Sequence, residues 1–324
     1  CSMFDRMRRI CLVFVNVVFV LGIYAQQSDS LQINKKNRQD KTAVLRMSKS
    51  IKPFYTVELS DSLFETSGLI YWNHALWTHN DSRDKHLYRL DTSDGRIIDS
   101  FLLADIVNTD IEEISQDDNF IYLADVGNNQ SGIRNDLHVL RIKKESLFTN
   151  HIIIDTIWFV YEDQYVKNSF ADLPTDYDCE AFVVIGDSLY LFTKQWKHLG
   201  SKVYVLPAYS GRHIAHVYDS LNVNGLITGS VYFAERNQLI LCGYSKSLRP
   251  FICMFYGFKG RDFFSAGKRK IRLRLAFHQV EAVTTSDGKV FYLTNEKFKR
   301  SLIRIPAKFH KIELSPFLPD KIDD

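Results

Sequence analysis

Two pairs of acidic residues in the sequence have the residue types and spacing of a functional site. Asp110 and Glu112 form one pair, Asp178 and Glu180 form the other, and Glu281 continues the pattern. Residues i and i+2 of a β-strand lie on the same face, so each pair presents two carboxyl groups together. Grouped carboxylates bind hard cations such as calcium, and a pair with different pKa values can act as a general acid and a general base. The spacing therefore predicts either a cation site or an acid/base site.

The strands that carry these residues belong to segments that repeat one plan. Each segment is a short strand, a polar turn and a second strand rich in Leu, Tyr, Trp and Phe, usually followed by a third strand. Repeats of about 40 to 50 residues with four strands are typical of β-propeller blades. The five segments are residues 65–81, 110–129, 178–196, 226–246 and 279–298.

The repeats predict an all-β fold, a β-propeller with five four-stranded blades. A sixth blade is the alternative, with "FYTVELS" near residue 55 joining strands at the C-terminus. That segment is more typical of the single strand that closes the ring. We predict one domain over residues 51–315, because a single blade cannot bury both of its faces alone.

The N-terminal residues are typical of a secretory signal peptide. Basic residues precede an apolar stretch at residues 10–23, and Ala25 is a small residue at a plausible cleavage point. A membrane anchor is the alternative, but the stretch is shorter than the roughly 20 residues that span a bilayer. We expect an exported protein, periplasmic or extracellular, with no stable membrane span after signal removal. The predicted segments are a signal peptide at 1–25, a flexible lead-in at 26–50 and a C-terminal tail at 316–324.

Composition favours strands and argues against a nucleic-acid partner. Aromatic residues make up 13% of the chain, which suits half-buried pleated surfaces, and the formal net charge is only +3. The basic stretch "KIRLRLAF" alternates charge with apolar residues, as an outer strand does, and a polyanion site is the alternative. Cys242 and Cys253 lie in a predicted hairpin, either as a disulfide or as buried free thiols. No HExxH, GxSxG or P-loop motif is present.

A propeller brings equivalent positions of successive blades together around its central channel. Aligning the segments gives two polar columns with an apolar residue between them, and strand alternation turns the polar columns toward the channel. The intervening residues, among them Ile111, Cys179 and Val280, are predicted to face the neighbouring blade. The first column is Glu65, Asp110, Asp178, Leu226 and Gln279; the second is Ser67, Glu112, Glu180, Thr228 and Glu281.

A second group of polar residues ends the second strand of most segments and is predicted to meet the columns at one channel rim. Calcium is the candidate cofactor, because it takes six to eight oxygen ligands. Two alternatives remain open. The acids can cap strands and bind channel water instead of a cation. Arg134 and Lys194 can pair with neighbouring acids instead of binding a ligand. The candidate metal ligands are Asp110, Glu112, Asp125, Asn128, Asp178, Glu180 and Glu281. The candidate ligand-binding residues are Asn80, Asp81, Arg134, Lys194, Asn295 and Glu296.

These motifs carry a resemblance to a known group of proteins. "SGLIYWNHALWTHNDS", "DIEEISQDDNFIYLADVGNN", "DCEAF", "GLITGS" and "QVEA" resemble a group of secreted bacterial β-propellers, mostly uncharacterised, related to the phytase-like and esterase-like propellers. The resemblance implies the fold and export. Phytase-like relatives hold calcium with acidic channel residues to bind phosphate esters, which implies that role for Asp110, Glu112, Asp125, Asp178, Glu180 and Glu281.

The resulting hypothesis is an exported propeller that binds a small molecule or a protein at an acidic channel rim, with calcium as the bridging ion. No catalytic residue is assigned. The alternative is a calcium-dependent phosphoesterase or lactonase-like hydrolase.

Overall fold

The computed structural model describes residues 45–129, 132–164, 175–300 and 303–318. The predicted signal peptide, the lead-in up to residue 44 and the end of the predicted tail lie outside these residues. The described secondary structure is β-strand with four short 3-10 helices, at Asp61–Leu63, Lys144–Phe148, Ala234–Arg236 and Ser315–Phe317. Among the described residues no helix is long and apolar enough to cross a membrane.

In blades 1 to 3 the strands follow one another in chain order, and two further strands precede blade 1. Consecutive strands of each blade pair antiparallel. Preceding the blades are β1 (Met47–Ile51) and β2 (Tyr55–Glu58). Blade 1 is β3 (Thr66–Trp72), β4 (Ala75–Asn80), β5 (His86–Leu90) and β6 (Ile97–Leu102); blade 2 is β7 (Ile111–Gln116), β8 (Phe120–Asp125), β9 (His138–Lys143) and β10 (Ile154–Tyr161). Blade 3 is β11 (Cys179–Ile185), β12 (Ser188–Thr193), β13 (Ser201–Pro207) and β14 (Gly211–Leu221).

The last two blades each involve a strand from the start of the described chain. Blade 4 is β15 (Leu226–Phe233), β16 (Gln238–Tyr244), β17 (Pro250–Tyr256) and β18 (Gly267–Leu273), with β1 pairing parallel to β18 as a fifth strand. Blade 5 contains β19 (Val280–Thr285), β20 (Val290–Asn295) and β23 (Lys308–Glu313), and β2 is its fourth strand. A hairpin of β21 (Phe298–Arg300) and β22 (Ile303–Ile305) lies between β20 and β23 in the chain. Residues 47–50, which the sequence analysis assigned to the lead-in, therefore lie in a strand.

The innermost strands form a closed ring, which makes the molecule a β-propeller. In this ring β3 lies beside β7, β7 beside β11, β11 beside β15, β15 beside β19, and β19 beside β3. The all-β propeller architecture predicted from the sequence is confirmed. The closing strand β2 belongs to blade 5, although the number of blades for the whole chain stays a prediction.

Burial follows the distance of each strand from the channel. Every residue of β11 and β16 is buried, because inner strands have a neighbouring blade on each face. The outer strand β14 has several exposed positions. Inner strands therefore have nearly continuous apolar sequences, which is why the segments were recognisable as repeats.

The cores lie between the blades, and they decide the state of two cysteines. Leu241 pairs with Cys253 and Cys242 pairs with Ile252, so the two cysteines are one register step apart and lie on opposite faces of the sheet. Cys253 packs in the core that contains Phe192, whereas Cys242 packs in another core. Both are free and buried. The disulfide alternative is wrong, and the buried-thiol alternative is confirmed.

Candidate functional site

The starts of the inner strands and the ends of the second strands lie side by side at one end of the channel. Ile111 pairs with Asp125, Cys179 with Thr193, and Val280 with Asn295. The residues just before each inner strand and just after each second strand therefore meet at the same rim. We call the carboxyl groups at this rim the acidic mouth: Glu65, Asp81, Asp110, Glu112, Asp178, Glu180, Glu281 and Glu296.

Three of these groups form the centre of the candidate site, and we call them the carboxylate trio. Glu112, Asp178 and Glu180 each offer an oxygen atom, and these oxygens all lie within 4.8 Å of one another. Their side chains are buried, with at most 6% of each residue exposed. They come from β7 and from the start of β11, so two adjacent blades build the trio. The sequence predicted all three residues as metal ligands.

Asp178 is held in place by two donors from different segments. The backbone N–H of Asn128 donates to Oδ1 at 2.8 Å, and the indole Nε1–H of Trp196 donates to Oδ2 at 2.8 Å. These hydrogen bonds fix the plane of the carboxylate. Each oxygen keeps further acceptor capacity for a ligand.

Lys194 places one positive charge beside the trio. Its Nζ lies 2.6 Å and 2.5 Å from the two carboxylate oxygens of Glu180, and the lysine is only 5% exposed. The ammonium also lies 4.7 Å from the ring centroid of Trp196 and 5.5 Å from that of Tyr244. Burial alone would lower the pKa of Lys194, but Glu180 and its other acidic neighbours raise it well above its usual value. Lys194 is therefore charged at neutral pH.

Crowding of acids in a buried place raises the pKa of several members of the acidic mouth. Burial and the neighbouring Asp178 raise the pKa of Asp110 to about 6. Burial, together with Glu180 and Asp110, raises the pKa of Glu112 well above its usual value. Burial raises the pKa of Glu281 to about 8, although Lys194 opposes the shift. These groups hold protons at pH values where ordinary carboxyl groups have lost them.

The pKa values of Asp81 and Glu296, which form the outer part of the mouth, are raised as well. Burial and a hydrogen bond shared with Glu65 raise the pKa of Asp81 to about 7. Burial raises the pKa of Glu296 to about 7; Lys194 lowers it, whereas Asp81 and Glu65 raise it. Gln279 donates from Nε2 to Glu296 at 2.5 Å. Acids of blades 1, 2, 3 and 5 thus form one electrostatically connected group.

Gly127 allows the turn after β8 to approach the acids closely. A Cβ atom at this position would lie 2.1 Å from Oδ2 of Asp110 and 2.4 Å from Oε1 of Glu112. Any other residue would push these carboxyl groups apart. The glycine of "DVGNN" is therefore needed for the geometry of the mouth.

Asp125 and Arg134 form an ion pair next to the mouth. Arg134 donates from Nη2 to Asp125 at 2.8 Å and from Nε to Asp136 at 2.9 Å. The backbone N–H groups of Thr109 and Asp110 also donate to Asp125. Asp125 therefore fixes the loop that leads into β7 and already has a cationic partner in Arg134. Both predicted cationic residues, Arg134 and Lys194, have acidic partners.

The three predicted asparagines have structural hydrogen bonds. Asn80 accepts from the backbone of Glu65 and donates to the carbonyl of Ser62, and Asn295 donates to the carbonyls of Glu296 and Pro306. Oδ1 of Asn128 accepts from the backbone N–H of Arg134 at 3.1 Å. Its Nδ2 is buried and has no hydrogen-bond partner among the described residues.

The sequence analysis did not single out Glu113, Trp196 or Tyr244 as parts of the channel. Strand alternation turns Glu113 away from the channel together with Ile111, yet the structure points its side chain across the axis. The aligned segments contain a signal that indicates this position of Glu113. The residue after the second polar column is Gly68, Glu113, Ala181, Gly229 or Ala282, so four small residues surround one glutamate.

The basic stretch lines a surface cavity that includes no residue of the acidic mouth. Arg249, Arg272 and Arg274 border a cavity of about 300 Å³ beside β1, and Arg274 donates from Nε to Ser50 at 3.2 Å. The arginines are exposed. Because β1 pairs with β18, β18 is not an unpaired edge strand. The polyanion site stays a prediction.

Comparison with known proteins adds likenesses of fold. No protein-family model matches the chain, and no curated protein matches it. The glutaminyl cyclase of Myxococcus xanthus aligns with a TM-score of 0.49 and 6% identity, over 82% of this chain and 98% of that one. The WD40 repeats of RRP9 align with a TM-score of 0.43 and 8% identity, over 82% and 99% of the two chains. At these values the likenesses carry no argument about function.

Proposed function

We propose that this protein is an exported β-propeller that binds a divalent cation, calcium, in its acidic mouth and uses that cation to hold a ligand or partner. The observation that carries the proposal is the carboxylate trio, three buried acids with oxygens within 4.8 Å of one another. When ionised, the trio carries three negative charges beside the single positive charge of Lys194. Two negative charges are then left over, which a divalent cation would neutralise.

The donor set fits a hard cation. Calcium takes carboxylate, amide and water oxygens in flexible geometry, and all three members of the trio are carboxylates. Asp110, Glu112 and Asp178 would supply the main ligands. Glu180 and Glu281 would contribute less, because the charge of Lys194 acts on both. The bound cation would supply positive charge at the mouth, to which a phosphate or carboxylate group of a ligand can bind.

The resemblance of the sequence motifs to phytase-like propellers supports the choice of calcium. Export is proposed from the signal-like residues 1–25, and calcium is abundant enough outside the cell to fill a weak site. The partner remains a small anionic molecule or a protein that presents an acidic group.

Calcium is expected to raise the melting temperature of the purified, chelator-treated protein. At a calcium concentration a hundred times the Kd, the free energy of unfolding rises by about 2.7 kcal/mol. Differential scanning fluorimetry with calcium, with magnesium and with EGTA measures the effect. The change should disappear in Glu112→Gln and in Asp178→Asn.

The matched control for this experiment is Glu235→Gln, which removes an exposed carboxylate that is not part of the acidic mouth. This variant should respond to calcium as the wild type does. Wild-type protein that shows no shift at millimolar calcium, or the same shift in all variants, would remove the cation from the proposal.

A second candidate function is hydrolysis, and the raised pKa values of the outer mouth favour it. Asp81 and Glu296 have pKa values of about 7, so each can accept or donate a proton at neutral pH. This matches a calcium-dependent phosphoesterase or lactonase-like hydrolase. A panel of phosphate esters and lactones, assayed with calcium and with EGTA, tests it. Turnover that Glu296→Gln abolishes supports hydrolysis, whereas no turnover across the panel leaves binding as the function.

A further inference from the structure

All five inner strands are bulged near their starts, directly below the acidic mouth. The pairing with the second strand slips between Ser67 and Ile70 in blade 1 and between Ile111 and Glu113 in blade 2. The equivalent slips occur at residues 179–181, 227–229 and 280–282. A bulge leaves backbone groups outside the ladder and breaks the alternation of side chains. In blades 1, 2 and 4 the bulged strands bring backbone N–H groups together at the channel axis.

The carboxylate of Glu113 lies between these backbone groups. Ile114 donates its backbone N–H to Oε1 at 3.0 Å, and Ser230 of blade 4 donates its backbone N–H to Oε2 at 2.8 Å. The backbone of Leu69 in blade 1 also hydrogen-bonds to this carboxylate. Leu69, Ile114 and Ser230 occupy the same position in their aligned segments. Three blades therefore bind one carboxylate with the same backbone group.

The residues around Glu113 leave room for one side chain only. A Cβ atom on Gly68 would lie 2.6 Å from the backbone nitrogen of Ile114 and 2.7 Å from Oε1 of Glu113. A Cβ atom on Gly229 would lie 2.5 Å from the carbonyl oxygen of Glu281. The other two equivalent residues, Ala181 and Ala282, are also small. The chain thus combines four small residues with one long acidic one at this level.

Glu113 has no cationic partner among the described residues and is fully buried. Burial raises its pKa well above the usual value, although the backbone donors act against this shift. Converging backbone N–H groups are a recognised way to bind an anion without a basic side chain. The backbone donors around Glu113 therefore have the arrangement of a carboxylate-binding site.

We infer that the bulged strands of blades 1, 2 and 4 form a binding site for a small carboxylate on the channel axis, and that the side chain of Glu113 is its built-in ligand. The built-in ligand fills the channel below the mouth, so a ligand of the mouth enters from the rim. This inference does not depend on the cation of the proposed function. It predicts that the site becomes available to a free carboxylate when the glutamate is shortened.

The test uses the full chain with Glu113→Ala and acetate as the probe. Alanine keeps Cβ and removes the CH₂–COO⁻ group, and acetate has the same size and charge as the removed group. We expect Glu113→Ala to melt at a lower temperature than the wild type, and added sodium acetate to restore much of the loss in a saturable way. Acetamide, which has the same shape but no charge, should restore little.

The matched control is Ile240→Ala, which makes a cavity in an apolar core between blades. Sodium acetate should affect this variant and the wild type only to the small extent expected of a salt. If Glu113→Ala does not fold, refolding yield with and without acetate is measured instead, together with the melting temperature of Glu113→Gln. The inference is overturned if acetate acts equally on Glu113→Ala and Ile240→Ala, if refolding is independent of acetate, or if Glu113→Gln is as stable as the wild type.

Discussion

Replacing Lys194 with methionine is expected to lower the free energy of unfolding by about 3–5 kcal/mol at neutral pH. Methionine has a similar length, so packing against Trp196 and Tyr244 is largely kept and the main change is the lost charge. The ammonium lies 2.5 Å from Glu180 in a buried place, so its removal leaves the carboxylate trio without an internal cation. Urea denaturation at pH 7 measures the loss as a lower midpoint with an unchanged slope.

The double variant Lys194→Met with Glu180→Gln separates charge from packing. Because it removes the paired acid as well, it should be more stable than Lys194→Met alone. Lys268→Met, at an exposed position of β18, is the matched control and should change stability by less than about 0.5 kcal/mol. A wild-type midpoint in Lys194→Met would contradict the role assigned to this lysine.

The second large effect is expected from pH: without divalent cations, stability should fall as pH rises from about 5 to about 8. In the folded protein the pKa values of Asp110, Glu296 and Glu281 are about 6, 7 and 8, above the ordinary values of 3.8 for Asp and 4.5 for Glu. The folded state therefore binds more protons than the unfolded chain in this window, and stability is lost as these protons dissociate. A single group that titrates across two pH units changes the free energy by about 3 kcal/mol.

The hydrogen bonds of Asp91 change stability in the opposite direction, but only at lower pH. The side chain of Ser93 and the backbone N–H of Ser93 lower the pKa of Asp91 to about 2, so its contribution is lost only in strong acid. Urea midpoints between pH 4 and pH 9 in EGTA test the profile, and Glu296→Gln should flatten it. Stability that is constant or rising between pH 5 and pH 8 in EGTA would contradict the raised pKa values of the acidic mouth.

The repeats and the rim acids were predictable from the sequence because both depend on local patterns. Inner strands buried on both faces have continuous apolar sequences, so the segments at 110–129 and 178–196 could be aligned without a structure. Once aligned, Asp178 and Glu180 had to lie near Glu112, since antiparallel pairing and the ring leave no other place for them.

The partners of the charged residues were not predictable in the same way. Whether Lys194 would contact an anionic ligand or Glu180, and whether Asp125 would bind a cation or Arg134, depends on distances of a few ångströms between side chains. Such distances are set by the packing of whole blades and by the turn at Gly127. The sequence allowed both outcomes for each residue, and the structure shows the ion pairs.

Glu113 shows most clearly the difference between what local sequence patterns determine and what tertiary contacts determine. Local alternation turned it away from the channel, whereas the bulge in β7 breaks that alternation and the side chain points inward, where three blades donate to its carboxylate. By itself the sequence determined the fold class, the repeats and the set of acids at the rim, because strand period and burial are encoded in neighbouring residues. Only the tertiary structure decided which charges are compensated and which side chain fills the axis, because those contacts join residues of different blades.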